Sequence, residues 1–393
     1  MTDADIYKNG VLAAQLERVD GSVRFSYLHS YRASGGPPVA STLPLDAPPR
    51  ITPAGAVPPF FAGLLPEGRR LSSLQRTLKT SADDELTLLL AVGADPVGDV
   101  QIVPAGTIPS EAAAIEVRRD FGDIRFAALL ADSGIIDPAG IAGVQEKVSA
   151  RMLALPVRRA HERYILKLEP PEYPHLIENE HAFLTLARRG VRMRTVEARI
   201  VRDADARPGL LVTRFDRVEG ADAQPRRLAV EDACQLLDLW PADKYNVTME
   251  DAALAVIRAC TAPAVAARDV FRQVVFAWLT GNGDLHAKNL SVLEQPDGQR
   301  IVSPAYDLPS TVAYGDITFA LPLQGRTSGI SRRHLLAFAH ETGLPGAAAE
   351  TVLDRVLAAT QGLDEVISQA GFDPYRRDSM RRELLARRRL VEG

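Results

Sequence analysis

Apolar and polar positions change their rhythm along the chain. Between Ile6 and about Leu45 short apolar runs are separated by turn residues. Gly10-Val-Leu-Ala-Ala14 is one such run. In Val23-Arg-Phe-Ser-Tyr-Leu28 alternation puts Val23, Phe25 and Tyr27 on one face, so a small sheet is predicted. A stretch rich in Pro and Gly, 37–59, leads into Phe60-Phe-Ala-Gly-Leu-Leu-Pro-Glu-Gly68 and two predicted helices, 69–78 and 83–91, which Gly93-Ala-Asp-Pro-Val-Gly98 ends. The Ala-rich, Pro-punctuated piece at 104–114 has the composition of a linker. From there to about Arg227, loops alternate with strands at 164–168 and 209–217 and one helix at 177–189. Beyond Glu231 the period is helical, with helices predicted over 231–239, 249–259, 265–279, 331–340, 348–368 and 378–391. In the helix at 265–279, Val270, Phe271, Val274, Val275, Trp278 and Leu279 recur at helical spacing and are read as core. Three regions result: 1–110, 111–227 and 228–393.

Chemistry enters between that helix and the apolar strand after it. Thr280-Gly-Asn-Gly-Asp-Leu-His-Ala-Lys-Asn-Leu-Ser-Val-Leu293 sets Asp284 five residues before Asn289. Protein kinases space their catalytic loops this way: the Asp takes the proton of the attacking hydroxyl and the Asn holds metal against the phosphates. An apolar run (Leu290 to Leu293), a turn signal (Pro296-Asp297-Gly298) and a second run (Ile301, Val302) predict a β-hairpin. A hairpin returns the chain to its start, which puts Asp307 beside Asn289. Such a carboxylate and carboxamide pair suits Mg²⁺, which prefers hard oxygen donors and keeps phosphates and waters as its other ligands.

Lys167 interrupts the otherwise apolar strand Tyr164-Ile-Leu-Lys-Leu168 and needs a partner there. Glu180 precedes Phe183, Leu184 and Ala187 at helical spacing, so it faces inward and can supply one. Protein kinases fix the lysine that touches the nucleotide phosphates by such a pair; a structural salt bridge or a snorkelled lysine uses the same residues. Asp137-Pro-Ala-Gly-Ile-Ala-Gly-Val-Gln-Glu-Lys-Val-Ser149 sets Gly140 and Gly143 three apart around Ala142, followed by Val144 and Lys147. Glycines let backbone N–H groups approach phosphate and a lysine adds charge, although an ordinary turn carries the same spacing. The strand Gly209-Leu-Leu-Val-Thr-Arg-Phe-Asp-Arg217, with Thr213 and Phe215, stands where a kinase's lobe-joining segment offers backbone groups to adenine.

Bulk properties narrow the setting. Hydrophobic residues at 46% and charged ones at 24% are the profile of a globular protein rather than a disordered one. A net charge of −4 argues against a broad DNA-gripping face, so any nucleic-acid contact is expected to be local or through a partner. The only cysteines, Cys234 and Cys260, form no metal or redox spacing, which fits a reducing cytoplasm. The start, Met1-Thr-Asp-Ala-Asp-Ile6, is acidic where a signal peptide is basic, and no apolar run nears the roughly 20 residues of a membrane span, so no membrane contact is expected. Near the end, Arg376, Arg377, Arg381, Arg382 and Arg387 to Arg389 form a basic tail, read as a solvated helix face that also complements the helix C-terminus, or as a contact for acidic partners or DNA phosphate.

Taken together, Phe60 to Gly68, Gly93 to Gly98, Ala142-Gly-Val-Gln-Glu-Lys147, Tyr164 to Leu168, Glu178-Asn-Glu180, Arg214-Phe-Asp-Arg217, Glu231-Asp-Ala-Cys-Gln235, Lys244-Tyr245, Asp284-Leu-His-Ala-Lys-Asn289 and Tyr306-Asp307 resemble the HipA family, Ser/Thr kinase toxins of type II toxin–antitoxin systems. The resemblance implies an α+β fold: a small β-containing N-terminal subdomain fused to a two-lobed protein-kinase-like fold with an all-helical C-terminal lobe. It further implies that Lys167 holds ATP phosphates, Asp284 is the catalytic base and Asn289 and Asp307 bind Mg²⁺, with Gln235 and Tyr306 near the nucleotide and His286 and Lys288 carried with the loop. The implied target class is an aminoacyl-tRNA synthetase. The implied partner is a small helix-turn-helix antitoxin, HipB-like, through which alone DNA is met. One position departs: Gly140 stands where the family carries its regulatory, autophosphorylated serine, and Ser149 is the nearest replacement. Two other readings remain open at this point: a small-molecule kinase of the aminoglycoside or choline type, whose Gly-Asp-Leu-His segment resembles Gly283 to His286, and an inactive co-repressor scaffold.

Overall fold

The computed structural model describes residues 3–110, 115–117, 119–132, 152–159, 162–220 and 225–393. The fold is mixed α+β, with five-stranded sheets in the first two parts and helices dominating the third. In the first part β1 (Ala4–Lys8), β2 (Val11–Val19), β3 (Ser22–Tyr27), β4 (Arg50–Thr52) and β5 (Val100–Pro104) pair antiparallel in the order β4-β3-β2-β1-β5. Val23, Phe25 and Tyr27 are buried as their alternation predicts, against Ile6, Leu16, Phe60, Phe61, Leu86 and Leu89. Between β3 and β5 the chain forms α1 (His29–Ala33), α2 (Pro59–Ala62), α3 (Gly68–Leu78) and α4 (Glu85–Val92). Asp84 caps α4 by accepting from the Thr87 amide, and Arg18 of β2 pairs with the same carboxylate at 2.6 Å, so the cap also ties helix to sheet.

The second sheet runs β6 (Ile115–Glu116), β7 (Leu153–Arg159), β8 (Glu162–Leu168), β10 (Pro208–Thr213), β9 (Ala198–Arg202), with β6 parallel to β7 and the rest antiparallel. Its two faces separate cleanly by strand parity. Tyr164, Leu166 and Leu168 of β8 pack with Leu153, Leu155, Phe121 and Phe126, the last on α5 (Phe126–Asp132). Ile165 and Lys167 therefore point the other way, toward α6 (Leu176–Arg189), whose Leu176, Ile177, Phe183, Leu184 and Ala187 are buried.

An antiparallel pair of β11 (Arg217–Glu219) and β12 (Pro225–Arg227) ends the second part, and the third runs β13 (Val230–Asp232), α7 (Ala233–Leu236), α8 (Met249–Ala259), α9 (Pro263–Thr280), β14 (Ser291–Glu294), β15 (Arg300–Val302), α10 (Arg332–Glu341), α11 (Gly346–Ala359), α12 (Leu363–Gln369) and α13 (Pro374–Glu392). The central helix, α9, is buried along nearly its whole length, with Val270, Phe271, Val274, Val275, Trp278 and Leu279 at 1% exposure or less. Pro263 starts it, where its missing N–H costs nothing, and Gly281 ends it in the left-handed region at φ +70°. A Cβ on Gly281 would also lie 2.5 Å from Val312 and 2.9 Å from Leu384, so both conformation and space demand glycine. Among the described residues, no helix is long and apolar enough to cross a membrane.

Four expectations need correction. Residues 231–239 are not one helix: Val230–Asp232 is a strand paired with β14, and α7 is a single turn whose capping box is Asp232 and Gln235. The edge of β14 offers better backbone partners than an exposed first turn would. Consequently the third part is not all helical; it holds the three-stranded sheet β13-β14-β15. Residues 348–368 form two helices, α11 and α12, because Thr360 turns its hydroxyl back onto the Val356 carbonyl and Gly362 follows. The basic tail is also not a solvated face throughout. Arg387 is 1% exposed, its guanidinium 4.3 Å from the Trp278 ring centroid and donating to the carbonyls of Trp278 and Ile317.

Candidate active site

The site is assembled where the second sheet, α6 and the loop after α9 meet. Strand parity delivers Lys167 to the α6 face, and Glu180, fully buried on α6, meets its ammonium at 2.6 Å. The same nitrogen donates to Asp307 Oδ1, so one cation bridges two carboxylates from separate parts of the chain. Burial alone would lower the Lys167 pKa, but Asp307 and Glu180 outweigh it and hold the ammonium above its ordinary range. Burial pushes the Glu180 carboxyl up to about 7 against the pull of Lys167. Asp307 sits at φ +54°, a left-handed backbone uncommon outside glycine, and its side chain keeps 26% exposure where Glu180 has none.

The predicted hairpin is present: Val292 pairs with Val302, Leu293 with Ile301, and Gly298 turns at φ +84°. The loop before it is held by its own side chains. Asn282 Oδ1 accepts from the Asp284 amide at 2.9 Å, its Nδ2 donates to the Asp307 carbonyl at 3.1 Å, and Asn289 Nδ2 donates to the Asp284 carbonyl at 2.8 Å. Asp284, Asn289 and Asp307 are thus joined in one hydrogen-bonded set, with Asn282 as the link. Tyr245 donates its hydroxyl to Asp284 Oδ1 at 2.9 Å, and burial together with that carboxylate holds the phenol well above its usual range. His286 is packed edge-on to Tyr245 and lies 4.0 Å from Asp284 Oδ1; burial first, then Lys244, lowers its pKa to about 3, so the ring is neutral at physiological pH.

Other predicted residues fall around this set in different ways. Tyr306 donates to the Lys288 carbonyl at 2.7 Å and stacks on Phe215 with centroids 5.9 Å apart, which draws the segment after β10 toward Asp307. Thr213 ends β10, its amide donating to the Glu197 carbonyl. Gln235 spends its side chain on backbone groups: Oε1 accepts from the nearby Asp232 amide and Nε2 donates to the Phe60 carbonyl of the first part, both at 2.9 Å. Lys288 donates to the Gly63 carbonyl at 3.0 Å and pairs with Glu67 at 2.8 Å, so it grips the first part of the chain. Gly140, Ala142, Gly143, Val144, Lys147 and Ser149 lie outside the described residues.

Asn282, Tyr245, Lys244 and Glu67 were not singled out as site residues by sequence reasoning. Asn282 carried a usable signal, a polar residue between Gly281 and Gly283 at the end of a buried helix. Glu67 carried none, because its partners lie far along the chain. Among the described residues no three His, Cys, Asp or Glu side chains gather as a metal site. A divalent cation here would rest on Asn289 and Asp307 with phosphate oxygens, a donor set of hard oxygens that fits Mg²⁺.

A family model described as the HipA-like C-terminal domain matches residues 139–363, and the HipA N-terminal domain model matches residues 4–103. Y4mE of Sinorhizobium fredii, which carries a kinase name, is 32% identical over 323 residues, covering 76% of this chain and 74% of its own. The serine/threonine-protein kinase toxin HipA of Shewanella oneidensis is 28% identical over 356 residues, covering 81% and 78%. In the solved complex of Shewanella oneidensis HipA with HipB and its operator DNA, a chain superposes with a TM-score of 0.80 at 23% identity, over 99% of this chain and 97% of that one, which shows a shared fold. With one family model spanning more than half of its length, another its first part, and a relative above 30% identity across most of both chains, this protein belongs to the HipA family.

Proposed function

We propose that this protein is an ATP- and Mg²⁺-dependent protein kinase that transfers the γ-phosphoryl group of ATP to a serine or threonine hydroxyl of a protein. The observation that carries the reading is the convergence of Lys167, Glu180 and Asp307 beside Asp284 and Asn289. Phosphoryl transfer depends chiefly on positioning and on neutralising phosphate charge, and these residues supply both. Lys167 presents its ammonium to the phosphates, steadied by Glu180. Asp284, oriented by Tyr245, accepts the proton of the attacking hydroxyl as the new O–P bond forms and ADP leaves. Asn289 and Asp307 would hold Mg²⁺, which neutralises phosphate charge during the transfer. The second sheet with α6 and the helical third part then act as two lobes with the nucleotide between them.

Kinase names among its relatives support the reaction class. By the family resemblance, the acceptor is a component of translation such as an aminoacyl-tRNA synthetase, its phosphorylation arresting growth in the cytoplasm. The regulator is a small HipB-like helix-turn-helix antitoxin, DNA being met only through it. The test is incubation of the purified protein with labelled ATP and host lysate. A labelled protein band, lost in Asp284→Asn with an unchanged melting transition, is expected; the loss should be about 10²- to 10⁴-fold, the range of general-base contributions. Small alcohols labelled in preference to any protein would overturn the choice of acceptor, and an unchanged rate in Asp284→Asn would overturn the mechanism.

A further inference from the structure

Glu67 stands at the N-cap position of α3, where a carboxylate would ordinarily accept from the helix's own amides, yet its side chain makes no cap bond. It turns instead to two lysines of the third part. One carboxylate oxygen meets Lys288 at 2.8 Å and the other meets Lys244, whose side chain is 11% exposed. The segment carrying it is pressed on the same loop: Gly63 accepts from Lys288, Phe60 accepts from Gln235, and a Cβ on Gly63 would lie 2.9 Å from the Gln235 side chain.

Each lysine is one step from the reacting groups. Lys244 accepts the Ala287 amide on its carbonyl at 3.3 Å, and its neighbour Tyr245 donates to the Asp284 carboxylate. Lys288 immediately precedes Asn289, which donates to the Asp284 carbonyl. One carboxylate from the first part of the chain therefore braces both flanks of the loop.

We propose that Glu67 is a positioning residue for phosphoryl transfer, setting Asp284 through Lys244–Tyr245 and Asn289 through Lys288, so that the catalytic centre is complete only with the N-terminal part docked. This rests on the transfer reading above. Charge follows the geometry. Burial would raise the Glu67 carboxyl, but Lys288 and Lys244 outweigh it and bring it down to about 2.

The experiment compares full-length wild type with Glu67→Gln and Lys244→Met, following ATP turnover against Mg²⁺ and ATP concentration. In Glu67→Gln kcat is expected to fall about 10- to 100-fold, the scale of a misplacement near 1 Å, with the half-saturating Mg²⁺ concentration raised and the KM for ATP moving much less. A brace that served stability alone would move the melting temperature and neither kcat nor the Mg²⁺ dependence. A folded Glu67→Gln with wild-type kcat and Mg²⁺ dependence overturns the role of Glu67. Should that variant fail to fold, Lys244→Met carries the test, and an unchanged kcat there overturns it. A wild-type protein with no ATP turnover overturns the transfer reading and this inference together.

Discussion

At the scale of single residues the energetics turn on charges taken out of water. Lys167 shields two carboxylates, and Glu180 is fully buried. Removing a buried partner leaves an uncompensated charge, a loss of roughly 3–5 kcal/mol. In Lys167→Met that loss should shrink as pH falls, because Glu180, already pushed up to about 7, takes a proton and is neutral in the core. Urea midpoints of variant and wild type at pH 8 and pH 5.5 check it: the gap is expected to be smaller at the lower pH. Glu67 has the opposite sign. Its folded-state pKa, about 2, lies below the 4.5 of a free glutamate, so its stabilisation is present above 4.5 and disappears as pH falls toward 2. Allowing for its partial exposure, Glu67→Gln should cost roughly 2 kcal/mol at pH 7 and close to nothing at pH 2, measurable by the same midpoints. The Lys167–Glu180 pair was legible in sequence because an isolated charge in an apolar strand must find a partner, and the next helix offered one. Asp307 as a second partner was not, since its carboxylate arrives from 140 residues away.

At the scale of elements, α9 and its ending carry the loop. Its bounds were readable to within two residues because the signal is local, apolar positions recurring at helical spacing. What the helix end demands is sharper than the periodicity. Gly281→Ala meets a left-handed backbone and a Cβ overlap with Val312, so it should destabilise by about 2–4 kcal/mol, visible as a lower melting temperature, and should displace Asn282 and with it the Asp284 amide. The misread segment at 231–239 makes the complementary point. Its composition suits a helix, but Val230–Asp232 lies against β14, and the sheet's backbone hydrogen bonds override a weak local preference.

At the scale of the whole molecule, the first part is tied to the rest by a buried ionic cluster. Asp95 receives Arg214, Arg217 and Arg227 at 3.0, 2.8 and 2.9 Å, and Asp216 holds Arg214 and Arg217 from the other side while accepting the Gly98 amide. Asp95→Ala leaves those guanidinium groups short of a carboxylate, and a loss of roughly 3–5 kcal/mol is expected. Hydrogen exchange should rise first in residues 4–103, because the Glu67 contacts share the same interface. Equal exchange in variant and wild type would show that the cluster does not govern docking.

The sequence by itself determined the elements with local causes: alternating strands, the central helix, the hairpin turn and the spacing that keeps Asp284 and Asn289 on one loop. Those follow from neighbours within a few residues, where periodicity and turn chemistry act. Only the tertiary structure decided which charges meet. It joined Lys167 to Asp307, set Asn282 between Asp284 and Asp307, and brought Glu67 onto Lys244 and Lys288. Burial strengthens an ion pair and a sheet edge selects its partner, but both depend on contacts between positions far apart in the chain, which no local pattern encodes.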